Sequence, residues 1–156
     1  MRVGFTGHQD LPSAHVADIR RGILHELERI PNDLVGISSL ADGADQLFAS
    51  VVLELGGSLE VVIPSEGYEE TFSAAALDKY RRLLSRATFV IRLPFARPSN
   101  DAFFTAGRHV VDHSDQVIAV WDGKDAKGLG GTADIVEYAQ SLGTTVVVVW
   151  PAGATR

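Results

Sequence analysis

Short runs of β-branched and other apolar residues alternate with segments of helical period along almost the whole chain, and this alternation restricts the fold more than any other feature. Six strands are predicted, near Arg2–Phe5, Leu34–Ser38, Leu59–Ile63, Thr88–Leu93, Gln116–Trp121 and Thr144–Trp150. Several are unbroken apolar runs, the pattern of strands covered on both faces, so these are not expected at a sheet edge open to water.

The intervening segments read as helices. Val16, Ile19, Ile23, Leu27 and Ile30 recur at three- and four-residue spacing and form one stripe, with Ser13 as the expected N-cap. Ala44, Leu47, Val51 and Leu55 share a face of a second helix, which Asp42 is expected to cap and Gly56-Gly57 to stop. Further helices are predicted near Ala75–Arg86, Ala102–Ser114 and Thr132–Leu142, and the stretch Pro94–Asp101 reads as an irregular loop able to close over a site. Strand and helix in regular succession imply an α/β fold: a doubly wound, mostly parallel Rossmann-like sheet of about six strands with helices on both faces. At 156 residues this is one domain, spanning 1–156, with enough chain to bury a core unaided.

Composition narrows the function. Hydrophobic residues make up 46% and charged residues 22%, which is globular usage. The absence of cysteine removes thiol chemistry and zinc knuckles, and no long apolar segment or charged leader is visible, so a cytoplasmic location and no membrane partner are expected. The net charge of −6 repels polyanions, which makes extended nucleic-acid binding an unfavoured expectation.

In doubly wound sheets ligands bind beyond the carboxyl ends of the strands, where strand order reverses. Three loops there are polar, contain glycine and open a helix: Thr6-Gly7-His8-Gln9, Ser38 through Asp45, and Asp122 through Thr132 with Gly123, Gly128, Gly130 and Gly131. Gly130-Gly131-Thr132 has the form of a phosphate cradle, because glycine admits close approach and the free N–H groups of a helix start attract anions; a plain strand-to-helix turn is the competing reading. No G-x-G-x-x-G fingerprint and no G-x-x-x-x-G-K-[ST] loop is present, so neither a standard dinucleotide site nor phosphate-bond hydrolysis is expected.

Taken together, these loops resemble the SLOG superfamily, the Rossmann-like group that includes Smf/DprA, the Lonely Guy phosphoribohydrolases and the YpsA-like proteins. Val3-Gly4-Phe5-Thr6-Gly7-His8-Gln9 is similar to the first-strand turn written T-G-H-R, and Ser38-Ser39-Leu40-Ala41-Asp42-Gly43-Ala44-Asp45 to S-G-x-A-x-G-x-D, with Gln9 and Ser39 departing from the pattern. Val111–Asp115, Val117–Gly123 and Gly130-Gly131-Thr132-Ala133 resemble the helix, strand and G-G-T turn of the group. The resemblance implies a nucleotide-type ligand with no required cofactor, phosphate at Gly131-Thr132, and the remainder toward Gly7, His8, Gln9, Ser39, Leu40, Asp45, Asp122 and Gly123. Relatives that pair through helices make a homodimer an expectation.

The resemblance also bears on catalysis. Lonely Guy enzymes carry an arginine before the fifth strand and a glutamate three residues after the G-T threonine; counting places these at Ala106 and Ile135. Nucleoside deoxyribosyltransferases, with a similar ending and a similar glutamate, meet the same Ile135. Binding without chemistry is therefore the leading expectation, and a nucleotide N-glycosidic hydrolase or transferase using Asp134 or Glu137 is the alternative, although these face other ways from residue 135 on a helix.

Other residues carry competing readings. His8 is favoured as a ligand contact over a backbone-satisfied turn histidine. Arg108 is a candidate for turning toward the phosphate. His109 and His113 have metal-compatible spacing but no evident third ligand, so no metal is expected. Lys79, Arg81, Arg82 and Arg86 read as a solvated helix face, and Trp121 and Trp150 as either pocket border or core.

Overall fold

The structure is a computed structural model that describes residues 1–125 and 130–156. Six strands form one entirely parallel sheet. In chain order the elements are β1 (Arg2–Gly7), α1 (Val16–Glu28), β2 (Val35–Ser38), α2 (Ala44–Glu54), β3 (Ser58–Ser65), α3 (Ala74–Leu84), β4 (Phe89–Phe95), α4 (Asn100–Asp112), β5 (Gln116–Val120), α5 (Thr132–Ser141) and β6 (Thr145–Val149). Single 3-10 turns lie at Ser13–His15 and Tyr68–Thr71.

Strand order is β4-β3-β2-β1-β5-β6. The chain winds outward from β1 to β4, then returns through α4 to lay β5 on the other side of β1, pairing Gly4 with Val117 and Gly7 with Val120. That return puts α4 and α5 together on one face and α1, α2 and α3 on the other. The switch point, and hence the crevice, falls between β1 and β5.

Burial follows the apolar stripes. Ile19, Ile23 and Leu27 of α1 pack with Phe48, Val51 and Val52 of α2 over Val3 and Phe5 of β1, and the rings of Phe5 and Phe48 stack at 4.5 Å. Burying side chains of this size is worth roughly 1.5–3 kcal/mol each, which is the main term holding the layers together. A helix flanked by α1 and α3 above a sheet is covered on more than one side, so α2 buries Asp45 and Gln46 as well.

Several expectations change. The apolar run at the end of the chain is an edge strand: β6 pairs only with β5 among the described residues, and Val148 is 48% exposed. An apolar run records high strand preference, but strand order is set by the crossover connections, and these place β6 outermost. Val16 and Leu55 are also exposed: Val16 is the first residue of α1, and Leu55 is the C-cap of α2. Ser13 sits inside the first 3-10 turn, and Asp42 accepts from the N–H of Gly43 instead of capping α2, whose N-cap is Gly43. The irregular loop after β4 is shorter than expected, since Pro94 and Phe95 belong to the strand; edge position tolerates the missing proline N–H. No helix among the described residues is long and apolar enough to cross a membrane.

Candidate functional site

The loops after β1 and β2 are tied to each other and to the end of β5 by backbone hydrogen bonds. The N–H of His8 donates to the Val120 carbonyl and the N–H of Ala44 to the His8 carbonyl, both at 3.1 Å. Gly43 makes this closeness possible: its φ of +85° suits glycine, and a Cβ there would lie 2.2 Å from the Gln9 carbonyl oxygen. Leu40 also has positive φ, at 57°, and its N–H donates to Ser38 Oγ. Its side chain is fully buried beside Tyr68 and Tyr80, so Leu40 shapes the loop and does not itself reach the crevice.

Asp45 is the chemically unusual group. Its carboxylate accepts from Ser38 Oγ at 2.8 Å and from the backbone N–H groups of Ser39 and Ala41. Burial pushes the carboxyl up to about 7, against the downward pull of those three hydrogen bonds. Between the ordinary carboxylate value and 7 the folded protein holds a proton that the unfolded chain has released. Stability is therefore expected to fall as pH rises from about 4 to about 7, by up to about 1.4 kcal/mol per pH unit from this group. Urea denaturation across that window should show a shallower slope in Asp45→Asn; an unchanged slope would mean the carboxyl titrates normally.

A cavity of about 540 Å³ opens at the switch point. One side is formed by Thr6, Gly7, Gln9 and Ser39, together with the carboxylates of Asp10, Asp42 and Asp45. The opposite side is the start of α5, Gly130, Gly131 and Thr132. Gly130 has φ of +90°, and a Cβ on it would sit 2.8 Å from the Phe104 backbone nitrogen, so the turn lies directly on α4. Asp134 accepts from the Gly130 N–H, and Glu137 is exposed outside the cavity wall; neither is placed for chemistry in it.

The floor is apolar. Ala106 and Ile135 are 1% and 2% exposed, and Ile135 packs so tightly on Gly107 that a Cβ there would meet its Cδ1 at 2.2 Å. Tyr68, Phe72 and Phe103 add an aromatic wall, with Tyr68 and Phe72 edge to face at 5.1 Å and the Tyr68 hydroxyl donating to the Ser39 carbonyl. The sequence reading missed this wall because it weighed only the loops after β1, β2 and β5; the loop after β3, which carries Glu66, Gly67, Glu69 and Glu70 as well, ends on the same crevice and supplies two of the three rings.

Arg108 does not turn toward the start of α5, where a phosphate was expected. Two positions beyond Ala106 on a helix is about 200° around the axis, so its guanidinium lies outside, over the rings of Phe104 and Tyr138. Asp122 and Gly123 lie outside the cavity wall. Asp122 accepts from the Lys124 N–H and from Arg156 Nε, and stands 3.2 Å from His8 Nε2. Burial raises its carboxyl, but those partners outweigh burial and hold it at about 2. His8 lines the cavity, but it is only 6% exposed, with its ring engaged by Asp122, Arg156 and the edge of Trp150. Trp150 thus completes the core beside His8, whereas Trp121 donates to the Lys124 carbonyl; neither borders the cavity. Gly128 lies outside the described residues.

The His109 and His113 rings stack at 4.0 Å, with His113 Nδ1 bonded to the His109 carbonyl. Among the described residues no group of three metal-ligating side chains converges.

No protein-family model and no curated protein matches the chain. Solved structures do. DNA processing protein A (DprA) from Streptococcus pneumoniae superposes with a TM-score of 0.67 at 22% identity, over 94% of this chain and 49% of that one. DprA from Helicobacter pylori, whose structure is described for its single-stranded DNA binding mode, superposes with a TM-score of 0.67 at 17% identity over 95% and 64%. The protein TM1055 superposes with a TM-score of 0.59 at 17% identity over 93% and 71%. The chain spans about half the length of the pneumococcal protein and just under two thirds of the Helicobacter one. Agreement over nearly the whole of this chain gives it the same Rossmann-like fold as these proteins.

Proposed function

We propose that the cavity binds a nucleotide-derived small molecule without transforming it, so that the protein acts as a sensor or carrier. The observation that carries this reading is the cavity itself: about 540 Å³ at the switch point, with a glycine-rich helix start on one side and buried Ala106 and Ile135 in the floor. The volume lies within the range of small-molecule sites. The α5 start offers N–H groups to an anion, and the aromatic wall offers a flat face to a base.

The test is a thermal-shift screen with nucleoside mono- and diphosphates, cyclic nucleotides, ADP-ribose and NAD, run on the parent protein and on Gly131→Asp. Gly131 is the N-cap of α5 at φ −71°, where aspartate is a favoured residue, so the variant should fold while placing a negative charge at the proposed anion site. A ligand at a hundred times its dissociation constant stabilises by about 2.7 kcal/mol, and the substitution should remove that gain for anionic ligands. No shift with any of them would overturn the reading.

A second reading, hydrolysis of a nucleotide N-glycosidic bond, draws support from Asp45, a cavity carboxyl raised to about 7 and so suited to proton transfer. Free base released from a nucleoside monophosphate by the parent protein, and lost in Asp45→Asn, would favour it. Nucleic-acid handling of the kind named for the Helicobacter protein ranks lower, because the net charge of −6 repels an extended polyanion. Pairing into a homodimer remains a separate proposal, read out by light scattering.

A further inference from the structure

We infer that Arg156 is the anion-binding side chain of the cavity, held ready by Asp122 and His8, and that it receives an oxyanion group of the ligand. The inference deepens the small-molecule reading and depends on it.

The segment after β6 folds back across the strand ends. Trp150 stands edge-on to the His8 imidazole at 5.5 Å, its Nε1–H donates to the Ala154 carbonyl at 3.0 Å, and the Ala154 N–H donates to the Pro151 carbonyl at 3.2 Å. This turn delivers Arg156 to the cavity wall. There Nε donates to Asp122 Oδ2 at 2.8 Å, and Nη1 lies 3.3 Å from His8 Nδ1.

The Asp122 N–H donates to His8 Nε2 at 3.1 Å and Asp122 Oδ1 lies 3.2 Å from the same nitrogen, so the ring is held at Nε2 by Asp122 and stands against Arg156 at Nδ1. Asp122 thus meets Arg156 through one oxygen and His8 through the other. Its side chain is 4% exposed, whereas that of Arg156 is 17% exposed: the carboxylate lies underneath and the guanidinium on top. Nη2 of Arg156 has no hydrogen-bond partner among the described residues, and the fork retains donors beyond the two in use.

Charge supports the same assignment. Among the described residues lining the cavity, Arg156 is the one with a permanent positive charge, against Asp10, Asp42 and Asp45. With Ala106 apolar and Arg108 on the outer surface, α4 supplies no cation to the cavity. An oxyanion entering it meets the Arg156 fork, and a planar fork fixed at Nε and Nη1 loses little freedom in binding it.

The experiment uses inorganic phosphate as the probe, followed by amide and arginine side-chain NMR on the parent protein, Arg156→Gln and Arg156→Lys. In the parent protein, phosphate should move the Arg156 Nε–H signal, identified by its loss in the variants, together with the Gly131 and Thr132 amides. Arg156→Gln should weaken phosphate binding about tenfold or more, as expected for loss of a charge-assisted hydrogen bond; Arg156→Lys, which keeps the charge but not the fork, should fall between. Equal phosphate affinity in parent and Arg156→Gln would overturn the assignment and leave the cavity reading standing. No response to phosphate in the parent protein would overturn it too, while the nucleotide screen decides the cavity reading separately, because base and sugar contacts can carry binding there.

Discussion

Gly43→Ala should lower the free energy of unfolding by about 4 kcal/mol, adding positive-φ strain to a clash with fixed backbone. The added methyl group would have to occupy space 2.2 Å from the Gln9 carbonyl oxygen and 2.8 Å from the Gln9 carbonyl carbon. Neither atom is the end of a flexible side chain. The loop after β1 is also tied to the start of α2 through the His8 carbonyl, so it cannot retreat alone. Gly123→Ala is the matched control: its φ is +82°, yet a Cβ there meets nothing within 4 Å among the described residues, and only the backbone strain of about 1 kcal/mol should appear. Urea denaturation of both variants separates the two contributions. Equal losses would mean that the two loops part without cost, and the cavity would then lack its rigid side.

Ile135→Glu should cost about 3–5 kcal/mol at pH 8, the scale of an uncompensated buried charge. Residue 135 is 2% exposed against Gly107 and Ala106, and no cation stands opposite it on α4. A carboxyl in that setting has a folded-state value raised above the unfolded one, so the destabilisation grows as pH rises from about 4 and is smallest in acid. Ile135→Leu, which keeps the volume, should cost less than about 1.5 kcal/mol. A glutamate tolerated equally at pH 5 and pH 8 would show that the floor is wet, and the hydrolytic reading would gain, because a wet floor could host an ionised carboxylate.

These two substitutions probe different kinds of information. Gly43 belongs to a segment whose importance was visible in the order of its residues: a polar, glycine-containing loop between a strand and a helix, similar to a known motif. What that segment does, holding Gln9 at contact distance and turning Leu40 into the core, depends on two loops distant in sequence meeting at one sheet edge. Ile135 was legible as the replacement of a carboxylate, but its packing on Gly107 needed the two helices to be docked. Arg108 failed as a site residue because helical phase, which the sequence does contain, turns it away from the cavity once Ala106 and Val110 face in.

By itself the sequence determined the number, type and order of the elements, since β-branched apolar runs and the 3.6-residue period reflect local backbone preferences and need no partner to be read. It also pointed to the loops after the strands as the place of a crevice, because parallel β-α units leave one there. Only the tertiary structure decided that the valine-rich last strand is an edge, that His8 turns inward against Trp150, that Tyr68, Phe72 and Phe103 form a wall, and that Arg156 reaches Asp122 across the strand ends. These depend on contacts between residues far apart in the chain. Such contacts arise from strand order and from which layers pack together, and no local pattern of residues carries that information.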